Sequence, residues 1–194
     1  MALRRVNIGL VVVILGINLY VLVAPLTPQI SLWRRQQQAK STDGLPYRTH
    51  LAKTSAQRAA IPDDNRLVIP KLALNEHIYE GTDPYLVNKG VWARPKTSTP
   101  PKASNTVLVA HRFTYNGPAT FYSLDKLARG DTVVIYWQKK EYDYEVEKIE
   151  VVAPTTVEVE APTENPQLTL YTCTPLWSAK DRLVVIAKPM EANP

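Results

Sequence analysis

Hydrophobic and polar positions divide this chain of 194 residues into three parts. Val6 to Ala24 is an almost unbroken apolar run, and a helix of about 20 such residues can cross a hydrocarbon core of about 30 Å. Residues 25–61 are mostly polar and show little periodicity. After Pro62, short apolar runs alternate with turn residues. This spacing predicts an all-β barrel or sandwich, because almost no segment could serve as a crossover helix of a parallel sheet.

The N-terminal apolar run is either a cleaved signal peptide or a retained membrane anchor. Signal peptides have a shorter apolar stretch, about 7–15 residues, that ends at a small-x-small cleavage site. Here Leu22-Val23-Ala24 is a poor cleavage site, and Pro25 follows it directly. We therefore favour an anchor over residues 1–27. Basic residues flank the run on both sides, so the positive-inside rule alone gives no clear orientation.

The formal net charge of +5 resides in the N-terminal third of the chain. Between Gln29 and Ala60 there are six basic side chains and one acid, which predicts a polar, basic stalk over residues 28–60. From Ile61 onward there are 15 basic and 17 acidic side chains. A nucleic-acid-binding domain would itself be basic, so we expect no nucleic-acid partner for the domain over residues 61–194.

Local patterns in this last part predict the individual elements. Tyr142, Tyr144 and Val146 alternate with acidic residues, which is the period of a half-buried strand. Apolar residues at every third position from Phe121 to Leu127 favour a short helix or a 3₁₀ turn. The predicted strands cover residues 66–69, 76–79, 91–93, 106–112, 132–138, 141–152, 156–160, 168–172 and 183–188, with a hairpin tip at 139–140.

Candidate chemistry centres on Cys173, the only cysteine in the sequence. A single thiol cannot form an intramolecular disulfide, so it is inert packing, an intermolecular link or a nucleophile. His111 ends the apolar run 106–110, and Arg182 opens the run 183–187. All three residues therefore lie near the edges of predicted strands, and they could converge on one patch.

A thiol, an imidazole and a guanidinium together supply the parts for acyl transfer through a thioester. The thiolate is the nucleophile, the imidazole moves protons, and the guanidinium holds a carbonyl or an oxyanion. Each residue also has a simpler interpretation. A lone strand cysteine is usually a small buried apolar residue, a histidine at a strand end is usually solvated, and Arg182 could pair with Asp181 at the surface.

No metal site and no cofactor are expected. A structural zinc site needs about four close cysteine or histidine ligands, whereas this chain has one cysteine and three scattered histidines. His50 lies in the predicted stalk and His77 in an early strand, and neither is assigned a role.

The motifs around the three candidate residues resemble those of the sortase family. The family signature is Thr-Leu-x-Thr-Cys at the end of a strand, an arginine that starts the next strand, and a histidine after an apolar strand upstream. The chain has Thr169-Leu170-Tyr171-Thr172-Cys173, then Arg182-Leu183-Val184-Val185, with Val107-Leu108-Val109-Ala110-His111-Arg112 before both. The resemblance covers nearly all of the chain after Ile61. One departure is Ala110, where most sortases have glycine.

The resemblance implies a closed all-β barrel of about eight strands with one or two short helices, preceded by a transmembrane helix and a stalk. It also implies that Cys173 attacks the carbonyl after threonine in a Leu-Pro-x-Thr-Gly-like sorting signal and forms an acyl-enzyme. His111 would act as acid and base, and Arg182 would steady the substrate and the oxyanion. Thr172 would line the substrate groove.

The implied partners are surface proteins or pilins with a C-terminal sorting signal. The amine acceptor would be a peptidoglycan precursor or a pilin lysine. The catalytic domain would lie outside the cytoplasm on a single-pass anchor in the cell membrane. Two other functions stay open: a tethered cysteine hydrolase that releases the acyl group to water, and a non-catalytic β-domain displayed on the stalk.

Overall fold

The computed structural model describes residues 2–23, 61–100, 102, 104–115 and 117–190. The chain separates into two structural units, Met1–Thr42 and Asp43–Pro194. The predicted stalk over residues 28–60 lies outside the described residues.

The first unit contains helix α1, Ala2–Val23. Its side chains are described from Gly9 onward, and the large apolar ones are exposed, from 44% at Val23 to 72% at Tyr20. Within the described part of the chain, no helix has the length and apolar character needed to cross a membrane. The anchor over residues 1–27 stays a prediction.

The second unit is built on a closed barrel. Its strands are β1 (Arg66–Ile69), β2 (Leu74–Tyr79), β3 (Val91–Ala93), β4 (Asn105–Val109), β5 (Phe113–Thr114), β6 (Gly117–Pro118), β7 (Thr132–Trp137), β8 (Lys140–Val152), β9 (Gln167–Thr174) and β10 (Asp181–Pro189). The barrel order is β1-β2-β3-β4-β9-β10-β8-β7, while β5 and β6 form a separate hairpin. The β2–β3 and β4–β9 pairs are parallel, and the other barrel pairs that the structure describes are antiparallel. The predicted all-β closed barrel is confirmed.

Short 3₁₀ turns connect several strands. They span Pro70–Leu72, Pro84–Asn88, Leu124–Lys126 and Val157–Glu160. The turn at Leu124–Lys126 confirms the feature predicted between residues 121 and 127. The hairpin tip predicted at residues 139–140 lies one residue from the observed tip, where Gln138 and Lys139 connect β7 to β8 and both have positive φ.

The predicted strand over residues 156–160 is wrong, because this segment contains the turn Val157–Glu160. Alternating valines and glutamates imitate a half-buried strand, but Val157 is 71% exposed. Glu160 is instead held by tertiary contacts to Arg94 and Tyr171. The β5–β6 hairpin was not predicted. The eight barrel strands begin and end within three residues of their predicted bounds.

Every barrel strand contributes apolar side chains to one core cluster. On β9, Leu168 and Leu170 are fully buried within it, and full burial of one leucine contributes about 1.5–3 kcal/mol. Successive side chains of a strand point to opposite faces. The side chain of Thr172 therefore points into the barrel, as those of Leu168 and Leu170 do, whereas Tyr171 and Cys173 lie on the outer face of the barrel. This alternation places the thiol outside the core.

Candidate active site

Three neighbouring strands position the candidate residues: Cys173 and Arg182 lie within β9 and β10, and His111 lies two residues after the end of β4. Strand β9 lies between β4 and β10. Across the antiparallel β9–β10 pair, Cys173 is directly opposite Arg182, so both side chains lie on the same face. Across the parallel β4–β9 pair, Val109 is level with Tyr171. The pairing ends there, and His111 and Cys173 each follow two residues later.

A groove of about 550 Å³ opens beside the thiol. His111 and Cys173 both line it, together with Asn88, residues 112–115 and most of the loop over residues 175–179. Cys173 is partly exposed, so a substrate can reach the sulfur. Two of the three residues selected from the sequence thus share one cavity, although 62 positions separate them in the chain.

Asn88 orients the imidazole of His111. The Nε2 atom of His111 lies 2.8 Å from Oδ1 of Asn88, the last residue of the turn Pro84–Asn88. An amide oxygen only accepts hydrogen bonds, so Nε2 carries the proton in this contact. In the neutral ring, Nδ1 is then free to accept a proton. Sequence reasoning missed Asn88, because no local pattern links it to a histidine 23 positions later.

Arg182 lies beside the groove and is not among the described residues that line it. Its Nη1 atom donates to the backbone carbonyls of Ala179 at 3.2 Å and of Asp181 at 3.0 Å. The surface pairing considered for Arg182 thus involves the carbonyl of Asp181 rather than its carboxylate. These contacts hold the guanidinium close to the loop that follows Cys173.

A charged network covers the same outer face, two positions before the thiol. The Tyr171 hydroxyl donates to Glu160 Oε1 at 2.5 Å. Arg94 donates to both oxygens of the same carboxylate, from Nε at 2.8 Å and from Nη2 at 3.1 Å. Burial first, and then the contact with Glu160, raise the pKa of Tyr171 above its ordinary value. The charges of Arg94 and Arg182 oppose this rise. The phenol therefore stays neutral in its role as a hydrogen-bond donor.

Thr172 lies inside the barrel rather than in the groove. It is 1% exposed, and its hydroxyl donates to the backbone carbonyl of Ala110 at 2.8 Å. The strand alternation that exposes Cys173 turns Thr172 the other way. The expected substrate contact is therefore replaced by a structural bond between the residue before Cys173 and the residue before His111.

Aromatic side chains form one wall of the groove. The ring centroid of Phe113, in β5, lies 4.3 Å from the ring centroid of Trp177, in the loop between β9 and β10. Trp177 is 80% exposed and has φ +76°, and Ala179 has φ +51°. Two non-glycine residues in the left-handed region mark a strained loop, and such strain is often found at functional sites.

Candidate metal ligands elsewhere in the described residues are scattered. Among the described residues, no group of three or more histidine, cysteine, aspartate or glutamate side chains could hold a metal ion. His77 contacts Asp64 at 3.0 Å. His50 lies outside the described residues.

Comparisons with known proteins agree on one family. The family model of the Sortase domain matches residues 67–190. Sortase SrtE1 of Streptomyces coelicolor is 33% identical over 144 residues, which cover 66% of this chain and 40% of that protein. The match therefore spans well under half of the length of that curated relative.

Solved structures show the same fold. The lid mutant of sortase A from Corynebacterium diphtheriae aligns with a TM-score of 0.62 and 27% identity, covering 87% of this chain and 97% of the other. Sortase C1 from Streptococcus suis aligns with a TM-score of 0.61 and 31% identity, covering 68% and 75%. The closed barrel, with its thiol and imidazole in one groove, has the architecture of a sortase-type transpeptidase fold. The chain belongs to the sortase family.

Proposed function

We propose that this protein is a cysteine transpeptidase that joins proteins bearing a sorting signal to an amine. The observation that carries the proposal is that the Cys173 thiol lines the same groove as His111 and is paired in register with Arg182. Membership of the sortase family supports the same chemistry, because sortases are cysteine transpeptidases.

In the first half-reaction, the Cys173 thiolate attacks the carbonyl carbon after threonine in a Leu-Pro-x-Thr-Gly-like signal. A carbon–sulfur bond forms, and the electron pair of the carbonyl moves to its oxygen. Protonated His111 then gives its proton to the departing glycine amine as the carbon–nitrogen bond breaks. A thioester on Cys173 and a neutral imidazole remain.

In the second half-reaction, an acceptor amine attacks the thioester and gives a proton to His111. The carbon–sulfur bond breaks, the new amide is released, and the thiolate and imidazolium are restored. The described contacts of Arg182 use Nη1, and a guanidinium has five N–H donors. Its remaining donors supply the oxyanion contact in both steps.

The partners in this proposal are surface proteins or pilins with a C-terminal sorting signal, and an amine on a peptidoglycan precursor or a pilin lysine. The substrates lie outside the cytoplasm, so the barrel is placed there on a membrane anchor over residues 1–27. The exposed apolar side chains of α1 support contact with a membrane, and the orientation belongs to the proposal. Fractionation of cells, with protease added outside intact cells, tests the location: recovery in the soluble cytoplasmic fraction would contradict it.

Mass spectrometry of full-length protein tests the reaction. The protein is incubated with a library of Leu-Pro-x-Thr-Gly peptides and with several amines, and products and protein adducts are weighed. We expect an acyl group on Cys173, a peptide–amine product, and neither of them with Cys173→Ala. Capture by water in preference to every amine would indicate a hydrolase. Absence of any acyl group on Cys173 across the library would indicate a non-catalytic domain.

A further inference from the structure

Arg112, directly after His111, carries a buried positive charge at the edge of the groove. Its side chain is 9% exposed. Arginine is almost never buried to this extent without partners, because an unpaired charge in the interior is very costly. The partners of this side chain therefore indicate what it does.

Three partners hold the guanidinium of Arg112. Nη1 donates to Thr174 Oγ1 at 2.7 Å, Nη2 lies 3.0 Å from Asp125 Oδ2, and Nε donates to the Tyr122 carbonyl at 3.3 Å. Each donor of the planar fork points at a different acceptor. A lysine could not reproduce this arrangement, because its ammonium is a single point of charge.

The contact with Thr174 completes a symmetrical pair of links. Thr172, before Cys173, donates to the carbonyl of Ala110, the residue before His111. Arg112, the residue after His111, donates to Thr174, the residue after Cys173. The thiol and the imidazole are thus bracketed on both sides by side-chain hydrogen bonds between their two segments.

These links begin where the backbone ladder stops. The β4–β9 pairing ends at Val109 and Tyr171, two positions before His111 and Cys173. Beyond that point, side-chain hydrogen bonds are the described links between the two segments, while Cys173 stays paired with β10 and the carbonyl of His111 accepts from the backbone N–H of Phe121. Proton transfer and nucleophilic attack are sensitive to the distance between imidazole and sulfur, since a misplacement of about 1 Å can cost roughly 100-fold in rate.

We propose that Arg112 is a positioning residue, which holds His111 at its working distance from Cys173 through the bond to Thr174. The proposal rests on the function proposed above, in which these two side chains carry out acyl transfer. Arg112 does not touch the substrate in this role, and its charge is already neutralised by Asp125.

Kinetics of full-length Arg112→Lys test the proposal, with the peptide and amine that the wild-type protein uses best. We expect kcat to fall by roughly 10- to 100-fold and KM to change less than about threefold, because position rather than binding is altered. The shape of the pH–rate profile should persist at a lower plateau.

Arg66→Lys is the matched control. Arg66 also contacts a carboxylate, a side-chain oxygen and a backbone carbonyl, through Asp64 and Asn75, but it lies outside the groove. Loss of a similar set of bonds there should lower the melting temperature and leave kcat within about twofold of wild type.

Thr174→Val removes the acceptor from the other side and keeps the proposal testable if Arg112→Lys fails to fold. It should lower kcat as Arg112→Lys does, and the double variant should be no slower than the slower of the two single variants, because both break the Arg112–Thr174 bond. Wild-type kcat in Thr174→Val would overturn the proposal. So would wild-type kcat in Arg112→Lys, because lysine keeps the charge and loses the planar fork of donors. Failure of the wild-type protein to form an acyl-enzyme would instead refute the proposed function.

Discussion

Replacement of Thr172 by valine should destabilise the barrel although the two side chains have nearly the same shape. The Thr172 hydroxyl donates to the Ala110 carbonyl at 2.8 Å, and the two residues are only 1% and 2% exposed. Water cannot easily replace the lost donor at such a site. Since valine fills the same volume, no cavity forms, and the substitution isolates the hydrogen bond.

The magnitude follows from the burial of both partners. A buried acceptor left without its donor costs about 1–3 kcal/mol. The added methyl group of valine offsets up to about 0.8 kcal/mol of this loss. We therefore expect the free energy of unfolding to fall by about 1–2 kcal/mol, and the melting temperature by roughly 4–8 °C for a domain of this size.

Thermal unfolding and turnover of Thr172→Val and Thr172→Ser separate the two effects of the change. Serine keeps the hydroxyl and loses a methyl group, so it should lose a comparable amount of stability and retain kcat. Valine should lower kcat as well, because the bond lies beside the His111–Cys173 pair. A melting temperature of Thr172→Val at or above the wild-type value would refute the reasoning about stability. Equal kcat in both variants would refute the link to turnover.

Three further predictions concern other positions. Arg182→Lys should lower kcat at least about tenfold in the peptide assay, because lysine lacks the planar fork of donors. Asn88→Ala should lower kcat by about 3- to 10-fold with little change in melting temperature, because His111 loses the acceptor that orients its ring. Burial first, and then the charge of Tyr142, raise the pKa of Tyr144 from 10.0 to about 12. The neutral phenol is therefore favoured in the folded state, and its contribution to the free energy of unfolding is fully present below pH 10. This contribution, about 3 kcal/mol, should be lost as the pH rises through 12, as measured by urea titrations.

Each of these three predictions has a distinct contrary result. Wild-type turnover of Arg182→Lys would limit Arg182 to tethering the loop before β10. Unchanged kcat in Asn88→Ala would mean that other contacts orient the imidazole. Tyr144→Phe should flatten the fall in stability between pH 10 and 12, and an equally steep fall in that variant would exclude Tyr144 as its source.

The strands could be predicted where local alternation is strong and tertiary contacts agree with it. In β8, Tyr144 and Val146 are buried while their neighbours Glu145 and Glu147 are exposed, which reproduces the alternation seen in the sequence. The same rule failed at Val157–Glu160, where the pattern is equally regular. There Asn105 donates to the carbonyls of Val159 and Ala161, and these bonds favour a turn. A local pattern carries no information about such distant partners.

The candidate site could be predicted only in part. His111, Cys173 and Arg182 were selected because each lies at the edge of an apolar run, and the strand order brings those edges together. The predicted strand over residues 106–112 was too long, since β4 ends at Val109. Apolar character continues to Ala110, but the backbone leaves the sheet before His111.

The supporting residues could not be found from the sequence, because their contacts depend on the folded arrangement. Arg112 is charged, and such residues are usually exposed. Its burial against Thr174 and Asp125 becomes visible only when the end of β9 and the turn Leu124–Lys126 meet. Thr172 fits the family signature, but which face it occupies depends on strand register, and a shift of one residue would reverse it.

The parallel pairing of β4 with β9 affects how the protein matures during synthesis. Asn105 pairs with Gln167, and β9 is complete only at Thr174, 65 residues after the end of β4 at Val109. Contacts between such distant segments form slowly, because the intervening loop must first be closed. A partly made chain that lacks β9 and β10 therefore holds the imidazole without the thiol beside it. The thiol and the imidazole therefore come together only once β9 has paired with β4.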